Sequence, residues 1–149
     1  TGAVLDQIAS SGAFASADLR IIPAGPGKAT RLLGVLRLPN ATLYLNRHEA
    51  ELLCGTGFDG AGNAALGLLA LGAARVLVTD GARPAVDAVA GGPLLQALPP
   101  SVKVARVTGA GDTFVGAHLA AEHRRLPRDE ALHIALAAAA DHISGETPA

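Results

Sequence analysis

Short β-prone runs alternate with runs rich in Ala and Leu along most of this chain, and this alternation most restricts its fold. Strands are predicted at 19–22, 42–45 and 74–79, and helices at 2–10, 29–36, 47–54, 64–71, 114–122 and from about 129. Residues 84–90 form either a short excursion or a hairpin, since Gly and Pro pairs follow them. Repeated strand-then-helix order predicts an α/β fold, with a mainly parallel sheet covered by helices on both faces. Residues 1–149 are predicted to form one domain.

A glycine-rich turn lies between a predicted strand at 102–107 and the predicted helix at 114–122. Its sequence is Thr108-Gly109-Ala110-Gly111-Asp112-Thr113-Phe114. Unpaired amides at a helix start point outward together, the helix dipole adds positive charge, and glycine lets the backbone approach a phosphate closely. The turn therefore has the chemistry of an anion site. Because an acid repels an anion, Asp112 is predicted to have its own task, that of a general base for an attacking hydroxyl.

The same residue patterns also have purely structural interpretations, which their spacing leaves open. Asp is a common N-cap, and Gly-Ala-Gly occurs in tight turns without a ligand. Asn46 and Glu49 stand three apart at a predicted helix start, where they either offer oxygen ligands to a hard cation or form a capping box. His118 and Glu122 share a predicted helix face and are interpreted as surface polar residues rather than metal ligands.

Charge and composition argue against several classes of function. The formal net charge is −1, which provides no basic surface for nucleic acid or an anionic membrane. No apolar run reaches the roughly 20 residues that span a bilayer. Cys54 is the single cysteine, so no intramolecular disulfide forms, and it is predicted to pack as a small buried residue. A cytoplasmic enzyme fits these observations best.

The turn at 108–114 resembles the second signature of the PfkB/ribokinase family of carbohydrate and nucleoside kinases, Asp-Thr-Thr-Gly-Ala-Gly-Asp. Arg106 and Val107 replace the first Asp and Thr of that signature. Two segments resemble other family elements in the same order: Asn46 to Glu49 resembles Asn-x-x-Glu, and 76–81 resembles a strand ending in Thr-x-Gly. The resemblance begins near residue 18 and covers only the C-terminal half of such a kinase domain. With no N-terminal family signature and no Met, 1–149 is expected to be a fragment with a ribokinase-like fold.

The resemblance implies an enzyme that transfers phosphate from ATP to a hydroxyl of a sugar or nucleoside. Asp112 is the implied catalytic base, and Gly109, Ala110 and Gly111 are the implied anion hole. The implied partners are small-molecule substrates, without nucleic acid or membrane, and a homodimer of the full-length protein is compatible with the resemblance. A non-catalytic nucleotide-binding fragment is the alternative, since the half that holds most sugar-binding residues is absent from the sequence.

Two further pairs of residues complete the implied site. Asn46 and Glu49 correspond to residues that organise Mg²⁺ and the phosphates, through water, in the kinases that this chain resembles. Thr79 and Gly81 follow a predicted strand, at the edge where open α/β sheets bind ligands, and are the implied contacts to ATP. The implied cofactors are therefore ATP and Mg²⁺.

The resemblance defines the acceptor substrate less closely. Pro23 and the Lys28-Ala29 pair resemble the pseudouridine kinase branch, although Ile22 replaces the Asp of that branch. Pseudouridine is therefore a weak preference over other nucleosides and sugars.

Overall fold

The structure, a computed structural model, describes residues 2–145 and contains a five-stranded sheet. The spatial order of the strands follows the chain: β1 (Leu19–Ile21), β2 (Ala41–Asn46), β3 (Arg75–Asp80), β4 (Arg83–Val89) and β5 (Leu94–Ala97). β1, β2 and β3 are parallel, whereas β4 and β5 extend the sheet as an antiparallel hairpin. The predicted α/β fold is confirmed. The sheet is mixed rather than mainly parallel, with two parallel and two antiparallel pairings, because residues 84–90 belong to the hairpin.

Helices precede, connect and follow these strands. They are α1 (Gly2–Ser10), α2 (Arg47–Cys54), α3 (Ala61–Ala70), α4 (Ala110–His123) and α5 (Arg128–Ser144). A 3-10 helix, Pro26–Gly34, stands where an α-helix was predicted at 29–36. Its glycines at positions 27 and 34 disfavour a regular α-helix.

The strand predicted at 102–107 is wrong, because this segment has no regular secondary structure. The amides of Ala105 and Arg106 instead donate to the carbonyl oxygen of Ile143, at the end of α5, over 2.7 and 2.9 Å. No neighbouring strand in residues 2–145 covers the segment, and Val104 and Val107 are exposed. The β-branched composition of the segment reflects local propensity without a sheet to join.

The sheet separates two hydrophobic cores, as alternating side chains along its strands dictate. Leu43 and Leu45 of β2, with Val76 and Val78 of β3, pack on the face covered by α2, α3 and the 3-10 helix. The residues between them, Tyr44 and Leu77, face α4 and α5. Helices on both faces are therefore confirmed, and each central strand is buried on both sides.

The carboxyl ends of β2 and β3 meet at one edge of the sheet. Asn46, the last residue of β2, pairs with Thr79 of β3, and α2 begins at the next residue after Asn46. The start of α4 lies at the same edge, because Gly109 and Thr79 line one cleft. Residues far apart in sequence are thereby brought to one place.

Candidate active site

A cleft of about 440 Å³ occupies this edge of the sheet. Its walls are the loop after β1, the ends of β2 and β3, and the first turns of α2 and α4. Most of the residues predicted to form the site line it: Asn46, Glu49, Thr79, Gly109, Gly111 and Asp112. Two of the predicted residues, Ala110 and Gly81, are not part of its lining. Three separate predicted segments therefore contribute to a single cavity.

The glycine turn has the backbone geometry that its composition predicts. Gly109 is the N-cap residue of α4, with a φ of 87° in the left-handed region that favours glycine. A Cβ atom at Gly109 would stand 3.0 Å from Nε2 of His142, so the site is tight as well as left-handed. Glycine is thus required here by both backbone conformation and space.

Several amides at the start of α4 are left without an acceptor. The amide of Ala110 donates to the carbonyl oxygen of Val107 at 3.3 Å, and the amide of Thr113 closes the first helical turn onto Gly109 at 3.0 Å. The amides of Gly109, Gly111 and Asp112 have no acceptor among residues 2–145. Together with the helix dipole, these three donors make the turn suitable for an anion.

Asp112 lies in the first turn of α4 and is exposed. Its carboxylate makes no hydrogen bond and no ion pair within the described part of the chain, and no side chain caps this helix. The N-cap interpretation of Asp112 therefore does not apply, since Gly109 holds that position. The carboxylate is free to accept a proton from a molecule in the cleft.

The end of α5 braces the glycine turn. Nε2 of His142 donates a hydrogen bond to the carbonyl oxygen of Thr108 over 2.7 Å, which fixes the residue before Gly109. Within the turn, Oγ1 of Thr113 donates to the carbonyl oxygen of Gly109 over 2.9 Å. The sequence differs from the family signature just before the turn, at 106–107, and this support from α5 is what holds that part of the chain.

Asn46 and Glu49 form the capping box that their spacing allows. Oδ1 of Asn46 accepts from the amide of Glu49 at 2.8 Å, and Oε2 of Glu49 accepts from the amide of Asn46 at 2.9 Å. Both residues nevertheless line the cleft, so their role in capping α2 leaves them in position to contact a ligand there as well.

Glu49 differs electrostatically from the other buried acids. It is 8% exposed, forms no ion pair within residues 2–145, and burial raises its pKa. A buried carboxylate without a cationic partner is unfavourable, so a cation in the cleft would stabilise it. Its second oxygen and the amide oxygen of Asn46 are hard donors of the kind that Mg²⁺ prefers, which means that this pair of residues fits the metal.

Thr79 and Gly81 are separated at the end of β3. Thr79 lines the cleft, whereas Gly81 turns the chain toward β4 with a φ of 59°. Between them, Asp80 accepts from Nε of Arg47 at 2.9 Å, which ties the end of β3 to the first residue of α2. The strand end is thus fixed against the helix that carries Glu49.

A network of largely buried charges surrounds Arg75, the first residue of β3, at the opposite end of the strand from the cleft, and the sequence did not predict it. The carboxylate of Asp87 accepts bonds from Arg75 and Arg128, and that of Glu122 accepts from Arg75 and Arg20. Although burial opposes ionisation, the arginines hold the pKa values of both carboxyls below their ordinary ranges.

His118 is part of this network, so its interpretation as a surface residue is wrong. Its side chain is fully buried, and Glu122 is mostly buried. The spacing of the sequence indicates this burial, because Phe114, His118 and Ala121 recur at helical intervals on the buried face of α4.

Three acidic or imidazole groups of the network lie close enough to hold a metal ion, with ligand atoms within 4.8 Å of one another: Asp87, His118 and Glu122. The two carboxylates already pair with three guanidinium groups, of Arg20, Arg75 and Arg128, and Nδ1 of His118 bonds Tyr44. The surplus of positive charge opposes a cation there, so the cluster is an ion-pair network.

The fold and the cleft together define a class of protein: an α/β protein with a cleft at the carboxyl ends of its parallel strands, where the free amides of a helix start are suited to an anionic small molecule. The model of the pfkB family of carbohydrate kinases matches residues 2–146, so the chain belongs to that family. No curated protein sequence matches it. In the described residues no helix is long and apolar enough to cross a membrane.

Solved structures agree with the family assignment. A carbohydrate kinase from Agrobacterium tumefaciens is 28% identical, with a TM-score of 0.74 over 93% of this chain and 43% of its own length. The ribokinase of Arabidopsis thaliana, complexed with ribose and ATP, is 25% identical, with a TM-score of 0.76 over 96% of this chain and 46% of its own. The adenosine kinase of Schistosoma mansoni shares the fold at 21% identity, with a TM-score of 0.75 over the same shares. The chain therefore spans less than half of each of these proteins.

Proposed function

We propose that residues 1–149 are the C-terminal half of a kinase domain that transfers the γ-phosphoryl group of ATP to a hydroxyl of a sugar or nucleoside. The observation that carries this proposal is the meeting of Asn46, Glu49, Thr79 and Asp112 in one cleft beside the glycine turn, in a chain of the pfkB family. ATP in the related ribokinase, and the sugar and nucleoside named for the related structures, support the substrate classes.

Asp112 is the proposed catalytic base. Its carboxylate is exposed in the cleft and has no partner in the described chain, so it can accept the proton of the acceptor hydroxyl as the oxygen attacks phosphorus. The transferred group spreads negative charge over its oxygens. The free amides of Gly109 and Gly111 at the start of α4 face the cleft, which supports these two residues as the proposed anion hole. Ala110, the third residue predicted for it, donates its amide to Val107 and lies outside the cleft lining, so it is not part of the proposal.

Asn46 and Glu49 are the residues proposed to hold Mg²⁺, through water. When bound, the metal neutralises charge on the phosphates during transfer. The capping box keeps both side chains at the start of α2, facing the cleft. Thr79, at the neighbouring strand end, is the proposed contact to ATP, and Gly81 gives the backbone its turn beside that contact.

The acceptor is proposed to be a nucleoside or a sugar, with pseudouridine as the weak preference. Pro23, which supports that preference, lines the cleft, and the Lys28-Ala29 pair lies in the 3-10 helix that follows. The chain covers less than half of the related kinases, so most of the contacts that select an acceptor are proposed to come from the other half of the domain.

The substitution Asp112→Asn in the full-length kinase tests the assignment of the base. We expect kcat to fall by roughly 10²-fold to 10⁴-fold, because a general base contributes a factor of this order, while the dissociation constant for MgATP changes little. Asp129→Asn is the matched control, since Asp129 is also an exposed acid in the first turn of a helix. That helix is α5, and its opposite end is the one that contacts the glycine turn. Turnover and calorimetric binding of MgATP give the two readouts.

Undiminished turnover in Asp112→Asn would show that another group takes the proton. Binding of MgATP without turnover of any sugar or nucleoside by the unmodified full-length protein would favour the non-catalytic nucleotide-binding alternative. For residues 1–149 alone we expect weak binding of nucleotide and no turnover, and phosphorylation of an acceptor by this segment would overturn that expectation.

A further inference from the structure

One buried hydrogen bond joins the two sides of the cleft from below. Oη of Tyr44 in β2 lies 2.8 Å from Nδ1 of His118 in α4, and both residues are buried. Tyr44 stands two residues before Asn46, about 7 Å along the strand. His118 stands six residues after Asp112, about 9 Å along the helix. The bond therefore links the strand that ends in Asn46 to the helix that begins with the glycine turn.

The direction of this hydrogen bond follows from its neighbours. Nη1 of Arg20 donates to Oη of Tyr44 at 2.8 Å, and the carboxylate of Glu122 beside Nε2 of His118 favours the imidazole hydrogen on Nε2, so Nδ1 accepts the hydroxyl hydrogen of Tyr44. The imidazole hydrogen is then on Nε2, which faces Glu122 Oε1 at 3.4 Å. Burial lowers the pKa of His118 and raises that of Tyr44, which keeps both side chains neutral. One tautomer and one donor direction are thus defined.

Besides this bond, α4 contacts the sheet through apolar packing near the glycine turn and through the ion pairs of Glu122, which lies one helical turn further from that turn. Phe114 and Val115 pack against Tyr44, Leu77 and the residues of α5 in one cluster. Apolar packing has little directional preference, whereas a hydrogen bond restricts both the distance and the angle between its groups. The Tyr44 to His118 bond is therefore the directional contact between α4 and β2, and it restricts the rotation and height of α4 between the Glu122 ion pairs and the glycine turn.

We propose that Tyr44 and His118 are positioning residues for the phosphoryl transfer, and that their hydrogen bond holds Asp112 and the glycine turn in register with Asn46 and Glu49. This inference rests on the proposed function. A displacement of about 1 Å between reacting groups costs on the order of 10²-fold in rate, so a small shift of α4 has a large effect.

The test removes the hydrogen bond between Tyr44 and His118 while it keeps the packing of the side chains. In the full-length kinase, Tyr44→Phe keeps the ring and removes the hydroxyl; we expect kcat to fall roughly 10-fold to 100-fold, with KM for MgATP within about twofold of the unmodified value. At His118, the amide oxygen of Asn reaches the position of Nδ1 and can accept the bond, whereas Leu cannot. His118→Asn is therefore expected to keep a kcat at least about fivefold above that of His118→Leu.

Arg128→Ala is the matched control for stability. Arg128 bonds Asp87 in the same network, on the side away from Tyr44, so its loss is expected to lower the midpoint of thermal unfolding while kcat stays within about twofold. An unchanged kcat in Tyr44→Phe, or an equal loss of kcat in Arg128→Ala, would overturn the positioning role while leaving the proposed function standing.

If Tyr44→Phe does not fold, the two substitutions at His118 test the positioning role instead. Equal kcat values in His118→Asn and His118→Leu would overturn the positioning role, and the expected difference would support it. Absence of turnover in the unmodified kinase would instead overturn the proposed function, and this inference with it.

Discussion

Asp87→Asn is expected to destabilise the protein by about 3 kcal/mol, because it breaks a buried set of ion pairs while preserving the shape of the side chain. The Asp87 carboxylate is fully buried and accepts four side-chain hydrogen bonds, of 2.8 to 3.1 Å, from Arg75 and Arg128. Removing one partner from a buried pair typically costs about 3 to 5 kcal/mol. The lower end applies here, since Arg75 keeps Glu122 and Arg128 is partly exposed.

Urea unfolding at pH 7, followed by circular dichroism, measures this change in the free energy of unfolding. Asp141→Asn is the control, because Asp141 is an exposed acid of α5, and its substitution is expected to change stability by no more than about 0.5 kcal/mol. A loss below about 1 kcal/mol in Asp87→Asn would refute the reasoning, since it would mean that the arginines do not depend on this charge.

The remaining predictions concern pH and the support of the glycine turn. Burial lowers the pKa of His118, so between about pH 6.5 and its lower folded value the unfolded chain binds a proton that the folded chain does not, and stability falls as pH falls. Urea unfolding between pH 7.5 and 5 is expected to show a weaker pH dependence in His118→Asn, and an unchanged dependence would contradict this. His142→Ala removes the hydrogen bond to Thr108 and is expected to lower kcat/KM for MgATP by roughly tenfold, with His142→Gln retaining more activity because its amide nitrogen can replace Nε2; equal losses would contradict the role of the bond.

Local patterns predicted the elements around the cleft. The buried strand at 74–79 and the helix at 47–54 were predicted within a residue of their observed bounds, since apolar runs and a capping pair define them without help from distant residues. Asn46 is an example of a prediction from local spacing. Its distance of three residues from Glu49 predicted either a capping box or a pair of ligands, and the two side chains form the box while also lining the cleft.

Long-range contacts account for what the sequence did not predict. Residues 102–107 have strand propensity, but they bond the end of α5 because no strand lies beside them in the described chain. His118 was placed on the surface because its partner, Tyr44, comes from a strand 74 residues earlier, a separation that helical spacing alone does not reveal. The position of a polar residue on the buried face of a helix is the signal that would have found it.

The buried acids of this protein fall into two kinds, and the difference supports the location of the site. Asp87 and Glu122 are matched by arginines, so their charges are compensated within the fold. Glu49 is buried to a similar degree, lies against the cleft, and has no cationic side chain paired with it in residues 2–145. An uncompensated carboxylate lowers stability, so a fold that retains one at a cavity wall leaves its charge available to a cation that enters with a ligand. We therefore propose that the buried charge of Glu49 lowers the stability of the unliganded fold and is compensated when a cation binds in the cleft.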